Sequence, residues 1–243
     1  MIDIHCHILS GVDDGSYCLS ESVEMARVAV ESGTTDIIAT PHTNAPGIDL
    51  NAWDDSFDAA LSELNSALEK DRIPLKIHPG SEIYFTPGVL QMLKTGEAMT
   101  LNRSRYFLIE FDFYSREQTI LDQCEMAVSS GLVPVVAHPE RYAAVQEDVQ
   151  TAYRMKRMGC LLQLNSGSLF GAFGRGAQAA ANEMLGDTLA DFIASDAHSP
   201  YMRSPFIADA HEMVSDVYSI DYSDLLFSWN PGLVLADKEI VSY

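Results

Sequence analysis

The sequence predicts an α/β fold in which seven parallel strands close into one (β/α) barrel, and three observations lead to it. Short apolar runs alternate with helix-periodic segments along the 243 residues, which implies right-handed crossovers between parallel strands. Side chains of metal-binding type follow most of those runs, at the strand ends where such barrels carry their sites. No linker, internal repeat or low-complexity tract breaks the pattern, so residues 1–243 are expected to form a single domain.

The elements follow in order. The run over residues 1–5 leads into His5-Cys6-His7; alternate strand residues share a face, so the two imidazoles point one way and Cys6 the other. Helical periodicity covers 20–32, with Ser20, followed by Glu21, read as its cap and Gly33 as its stop. Strand two, 36–40, leads to His42, and a helix over 52–69 to strand three, 75–83, where His78 and Glu82 share a face. His78 lies deeper and is read as a core or supporting residue. Strand four, 106–111, carries Glu110; after a helix over 118–129, strand five, 133–138, ends at His138. A helix over 149–158 precedes strand six, 161–165, which has no ligand but sets Gln163 and Asn165 on one face, suited to the pocket floor or the barrel interior. Helix 177–185 leads to strand seven, 191–195, with Asp196 and His198 just beyond it, and a last helix spans 206–217 with His211 in a packing or surface role. An open doubly wound sheet would gather only some of these ligands. Gly174-x-Gly176-x-x-Ala179 resembles a dinucleotide fingerprint but follows a loop, and is read as a mobile rim loop.

Composition removes several function classes. The formal charge of −20 disfavours nucleic-acid binding, which needs clustered lysine and arginine against phosphates. A signal peptide and an apolar stretch of about 18 residues are both missing, so a cytoplasmic protein with no membrane insertion is expected. Four cysteines, Cys6, Cys18, Cys124 and Cys160, form no C-x-x-C pair and are read as reduced thiols.

Taken together, Asp3-Ile-His-Cys-His7, Thr40-Pro-His42, Gly80-Ser-Glu-Ile-Tyr84, Leu108-Ile-Glu-Phe111, Ala137-His-Pro-Glu-Arg141 and Ala194-Ser-Asp-Ala-His198 resemble the polymerase and histidinol phosphatase (PHP) superfamily. More closely, the chain is similar to the bacterial manganese-dependent protein-tyrosine phosphatases of capsule and exopolysaccharide operons, over nearly its whole length to Asn230-Pro231. The resemblance implies a distorted (β/α)7 barrel with three divalent metal ions. His5, His7, Glu82 and Asp196 would hold the first; Glu82, Glu110 and His138 the second; Asp14, His42 and His198 the third. Beside Asp14, Asp13 would cap the turn or stand in the outer shell, and an exchange of the two roles, with Asp13 as the ligand, is the alternative. Imidazole and carboxylate ligands without thiolate suit manganese, iron, magnesium or zinc, and manganese is what the family implies. Arg141 and Arg203, three residues after His138 and five after His198, match the spacing of the phosphatase subfamily and would bind phosphate through paired guanidinium hydrogen bonds. Three ions and two arginines against four ligand carboxylates leave a local balance of about plus four, enough to hold a phosphate dianion inside an acidic protein.

The chemistry implied is hydrolysis of phosphotyrosine by a water that clustered metals acidify. A cysteine nucleophile is excluded, because the alternative mechanism needs an arginine six residues on, and Val12, Glu24, Ser130 and Ser166 stand there instead. The expected partner is a phosphotyrosine protein, a cognate bacterial tyrosine kinase controlling polysaccharide export. A small-molecule phosphatase of the histidinol-phosphate kind and a non-catalytic metal-binding regulator are the competing readings.

Overall fold

Strand and helix alternate from the amino terminus, as the apolar runs require, in a computed structural model that describes residues 1–47 and 52–243. The elements are β1 (Ile2–Cys6), α1 (Leu19–Glu31), β2 (Asp36–Ala39), β3 (His42–Thr43), α2 (Asp55–Lys70), β4 (Lys76–Pro79), β5 (Glu82–Tyr84), α3 (Val89–Thr95), β6 (Tyr106–Glu110), α4 (Glu117–Val128) and β7 (Val133–Ala137). Then come α5 (Ala143–Glu147), α6 (Gln150–Met158), β8 (Leu161–Asn165), α7 (Ser166–Leu169), α8 (Arg175–Gly186), β9 (Phe192–Ala194), α9 (Ala208–Val217), α10 (Ile220–Asp224), a π-type turn (Leu225–Trp229) and α11 (Asn230–Leu235).

All strand pairs are parallel, in a three-stranded sheet β1-β2-β4 and a six-stranded sheet β3-β5-β6-β7-β8-β9. Expected strand three is therefore broken and expected strand two is followed by a further short strand, and these breaks decide the site. The second run stops at Ala39 and resumes as β3 beyond Thr40-Pro41, and the third stops at Pro79 and resumes as β5 beyond Gly80-Ser81. Each proline lacks the N–H that a central strand would need. At the second break Gly80 lies so close to β2 that an added Cβ would sit 2.6 Å from Ile38 Cγ2. The result pairs His42 with Glu82 across β3 and β5, and Glu82 with Leu108 across β5 and β6. Because of the break, His78 and Glu82 do not share a strand face: His78 stands opposite Ile38 and holds Asp36 Oδ1 at 2.8 Å, away from the ligand cluster.

Between β1 and the chain beyond β9, His7 N donates to Ala197 O at 2.8 Å and Asp196 N to His5 O at 2.9 Å. A register shift between Asp3 and Cys6 lets Ile4 join an inner cluster, while Cys6 packs with the residues under α1 and α2. That inner cluster takes Ile4, Ile38, Tyr106, Leu108, Val135, Ala137, Phe192 and Ala194 from five strands, and Val234 of α11 belongs to it. The α11 segment thus packs beneath the strand starts, with Asn230 Nδ2 donating to Asp191 O at 3.2 Å. The opposite, carboxyl-terminal ends remain for chemistry.

Several local expectations shift. Helix α1 is capped at Cys18 and contains Ser20; Glu21 reaches back instead, accepting from Tyr17 N at 2.8 Å, and Gly33 at φ +84° marks the stop. Residues 175–179 are helical, so the Gly174–Ala179 stretch is the start of α8 and not a rim loop; Gly174, at φ +92°, ends the preceding turn. The short helices α3, α5, α7, α10 and α11 add to the six helical segments expected, being too brief to show a period. His211 Nε2 donates to Asp224 Oδ1 at 2.9 Å, and its ring packs against Phe227. Among the described residues no helix is long and apolar enough to cross a membrane.

Because Gly80 has no room for a side chain, Gly80→Ala is expected to lower unfolding stability by about 1–3 kcal/mol, the usual cost of overpacking. Chemical denaturation checks this; an unchanged midpoint would show that the β4–β5 break shifts freely.

Candidate metal centre

The ligand-type side chains come from six separate strand ends. His5 and His7 stand at the end of β1, His42 on β3, Glu82 on β5, Glu110 on β6, His138 after β7, and Asp196 and His198 after β9. Asp13 and Asp14 arrive on the turn after β1, which is pressed onto His7 by Gly15: a Cβ there would meet His7 O at 2.1 Å. Glycine is obligatory at this approach. His138 and Asp196 adopt positive φ, +34° and +51°, which costs of order 1–3 kcal/mol each for residues with a side chain and persists where the surroundings over-determine it.

Glu82 is the centre of the cluster. Its Oε2 lies 3.3 Å from both His5 Nε2 and His7 Nε2 and 3.2 Å from His42 Nδ1, while Oε1 lies 2.9 Å from His138 Nε2. His5 Nε2 and His7 Nε2 are 3.3 Å apart, and Asp196 Oδ1 is 3.5 and 3.6 Å from them. Donor atoms at such separations surround a point about 2.0–2.2 Å from each, the bond length of imidazole and carboxylate to a first-row divalent cation. Glu110 lies 3.6 Å from His138 Nε2, and Asp14 Oδ1 lies 3.5 Å from His42 Nε2 and 3.4 Å from His198 Nε2. Three groups of potential ligands result: His7, Asp14, His42 and His198; His5, His7 and Asp196; His42, Glu82 and Glu110.

A second layer fixes which nitrogen faces inward. His7 Nδ1 donates to Asp13 Oδ2 at 2.7 Å, His5 Nδ1 to Gln163 Oε1 at 2.8 Å, and His198 Nδ1 to Asp196 O at 3.1 Å. Each contact leaves Nε2 as the free lone pair, as a metal-ligating histidine requires. Asp13 therefore stands behind His7, also accepting from His42 N and Gly15 N, while Asp14 faces the two outer imidazoles. Gln163 is held by its own donations to Leu164 O and Asn165 Oδ1, and Asn165 Nδ2 donates to Asp196 Oδ2 at 2.6 Å. The two amides on strand β8 support the ligands.

The electrostatics are those of a crowded, buried acid–imidazole cluster. Burial pushes Glu110 up to about 9, reinforced by the neighbouring Glu82 and Asp196 carboxylates. Burial would raise Glu82 too, but His5, His42 and the His138 hydrogen bond hold it well below the usual carboxylate range. Burial lowers His138 to about 4, even beside Glu82, and its Nδ1 is a buried atom without a hydrogen-bond partner. Against the pull of burial, Asp13 and Glu82 keep His7 well above the ordinary imidazole value, so an ion binding there displaces a proton. The donor set fits divalent metal.

Arg141 and Arg203 both end on Asp196. Arg141 Nη1 donates to Oδ2 at 3.1 Å; Arg203 Nη2 lies 2.6 Å from Oδ1, without hydrogen-bond alignment. The guanidinium carbon of Arg141 lies over the rings of Phe113 and Phe173, 4.5 and 4.4 Å from their centroids, and that of Arg203 lies 5.7 Å from the Phe173 ring. Glu140, between His138 and Arg141, is fully buried and accepts from Asn165 N and Ser168 Oγ. Neither the clamp of rings nor the anchor at Glu140 has a signal in the sequence, because both depend on segments far apart along the chain.

Residues 1–236 match the family described as capsular polysaccharide synthesis, CpsB/CapC. The chain belongs to the CpsB/CapC family. It is similar, at 41% identity over 99% of this chain and 93% of the relative, to the tyrosine-protein phosphatase YwqE of Bacillus subtilis. CpsB of Streptococcus agalactiae, also a tyrosine-protein phosphatase, is 31% identical over 99% of this chain and all of its own. Among solved structures, one from the study of YwqE and of Streptococcus pneumoniae CpsB, described as unique metal-dependent tyrosine phosphatases, superimposes with a TM-score of 0.86 at 35% identity, covering 100% of this chain and 97% of its own. Histidinol phosphate phosphatase of Lactococcus lactis shares the fold alone, at a TM-score of 0.62 and 14% identity over 93% of this chain and 94% of its own.

If Gln163 orients His5 in this CpsB/CapC site, Gln163→Leu should preserve the fold yet weaken metal retention by about 10- to 100-fold, the range for outer-layer partners. Metal content after graded chelation reads it; wild-type retention would mean that the Gln163 contact only fills the interior.

Proposed function

We propose that this protein is a metal-dependent protein-tyrosine phosphatase with a three-ion centre inside a distorted (β/α)7 barrel. The observation that carries the reading is the convergence of Arg141 and Arg203 on Asp196 at the edge of the buried imidazole–carboxylate cluster. Contacts of β1 with the chain after β9 support closure of the barrel. In this reading His5, His7, Glu82 and Asp196 hold one ion, Glu82, Glu110 and His138 a second, and Asp14, His42 and His198 a third. Manganese is the metal proposed, and the oxygen and nitrogen donors equally accept iron, magnesium or zinc. Divalent ions bound there supply a water acidified to a pKa of about 7 and screen the phosphoryl charge.

The chain's own residues do the rest. Arg141 and Arg203 bind the phosphate and meet the charge that builds on its oxygens, and the ring clamp on Arg141 keeps its fork aimed without loss of rotamer entropy at binding. A phenolic leaving group has a pKa of about 10, so it departs with less help from a protein acid than an alkyl alcohol needs. Cys6, Cys124 and Cys160 are buried and Cys18 lies outside the cluster, so none serves as nucleophile. The substrate proposed is a phosphotyrosine protein, a bacterial tyrosine kinase of capsule or exopolysaccharide synthesis, consistent with the family to which the chain belongs.

The deciding experiment compares turnover of a phosphotyrosine peptide, a phosphoserine peptide and histidinol phosphate by metal-reconstituted protein. Preference for the first is expected; preference for histidinol phosphate would assign a small-molecule phosphatase. Chelation is expected to abolish turnover and to lower Tm, since ions that bind only the native state stabilise it by mass action; full activity of metal-free protein would overturn the reading. Arg203→Ala should retain its metal yet lose roughly 10- to 1000-fold in rate, as for removal of a charged transition-state contact, with only partial recovery in Arg203→Lys. Metal analysis beside phosphotyrosine kinetics checks this; unchanged turnover at full metal content would leave Arg203 a surface ion pair.

A further inference from the structure

Two grooves open on either side of Phe173. One, of about 300 Å³, is lined by Phe113, Tyr114, Arg141, Ala143, Gln146 and Phe173. The other, of about 230 Å³, passes Phe170 and Phe206 and reaches Arg203 and Asp209. Both touch the arginine pair, but their chemistry differs. The first has no carboxylate in its lining, on a chain of formal charge −20, and its one charged group is the guanidinium of Arg141. The second includes Asp209, which repels an anionic ester.

We propose that the phenyl ring of a phosphotyrosine residue lies in the first groove, between Phe173 and Tyr114, and that these two side chains set the preference for aryl over alkyl phosphate esters. This rests on the phosphatase reading above and specifies where its substrate goes. A phosphate at Arg141 has the Phe113 and Phe173 rings beside that guanidinium, each within 4.5 Å of its carbon, so the groove they line continues the phosphate position outward as an aromatic wall. Phe113 ties the wall to the metal cluster, its ring 5.6 Å from that of His138. Tyr114 is 86% exposed at the mouth, a large ring with no packing role in the fold; its backbone N–H donates to Asp112 Oδ1 at 2.9 Å, which fixes the turn that presents it. A tyrosine ester fills such a slot with its ring and leaves its peptide outside. An alkyl ester of serine is shorter by a ring, so its peptide groups would have to enter among aromatic side chains, where unpaired N–H and C=O groups are costly.

The test uses the metal-loaded full chain and two readouts: kcat and KM on a phosphotyrosine peptide, and the inhibition constant of inorganic phosphate, which probes the ionic part of the site alone. Tyr114→Ser and Phe173→Leu are expected to lower kcat/KM by about 5- to 10-fold, mainly through KM, the size of a lost aromatic contact. Inhibition by phosphate should stay within about twofold of wild type in Tyr114→Ser, and Phe170→Ser in the other groove should change neither readout. Unaltered peptide kinetics in Tyr114→Ser would overturn the inference, as would a loss in Phe170→Ser in its place, or an equal loss of phosphate affinity in Tyr114→Ser. A wild-type protein that turns over other phosphomonoesters and not phosphotyrosine would remove the tyrosine-phosphatase reading itself, a result distinct from variants that match an active wild type.

Discussion

Glu82 is a carboxylate withdrawn from water and surrounded by the imidazoles of His5, His7, His42 and His138, all within 3.3 Å of its oxygens. Burying such a group is unfavourable unless it is paired and hydrogen-bonded, and here the partners arrive from three different segments. The fold around it reads as the means of bringing them there. Breaking the third apolar run at Gly80-Ser81 starts a new strand at Glu82, and the register of β3 against β5 sets His42 directly beside it. The close approach of Gly15 to His7 seats the Asp13-Asp14 turn over the same cluster. A continuous strand through residue 80, or a side chain at residue 15, would separate groups that the chemistry needs within one ion's reach.

Orientation costs more than proximity, and the structure meets that cost with a second layer of contacts. Asp13, Gln163 and the carbonyl of Asp196 each take one imidazole N–H, so that three histidines present the same nitrogen inward. Positive φ at His138, Asp196 and Arg203 stores backbone strain at three positions of the cluster. It is offset by buried anchors on either side: Glu140 tied to β8 and α7, and Asp3 accepting from Ser195. Stability and function meet in these contacts, since relaxing them would let the ligands turn away.

The same layer explains how an acidic chain handles a phosphate. Its net charge repels anions at long range, but that field is screened over about 8–10 Å in physiological salt. Close to the cluster the balance is set by Arg141, Arg203 and the cations the ligands call for. Phe113 and Phe173 lie within 4.5 Å of the Arg141 guanidinium carbon while its Nη1 donates to Asp196, a combination of ring contact and planar donors that lysine in the same place would not achieve.

The sequence by itself determined which side chains gather at one edge: His5, His7, His42, Glu82, Glu110, His138, Asp196 and His198 lie in or just after apolar runs, with Asp14 on the turn beyond the first, and a strand delivers what ends it to a predictable edge. Parallel α/β order was legible for the same reason, since alternation of apolar and helical periods is a local property. The broken strands, the face of His78, the cap of α1, the partners of Asp13 and Gln163 and the stacking of Arg141 were decided only in three dimensions. Each of these depends on a contact between residues distant in the chain, Gly80 with Ile38, Gln163 with His5, Phe173 with Arg141. A local pattern carries which side chains reach the rim, and packing alone selects which atom of each one faces inward.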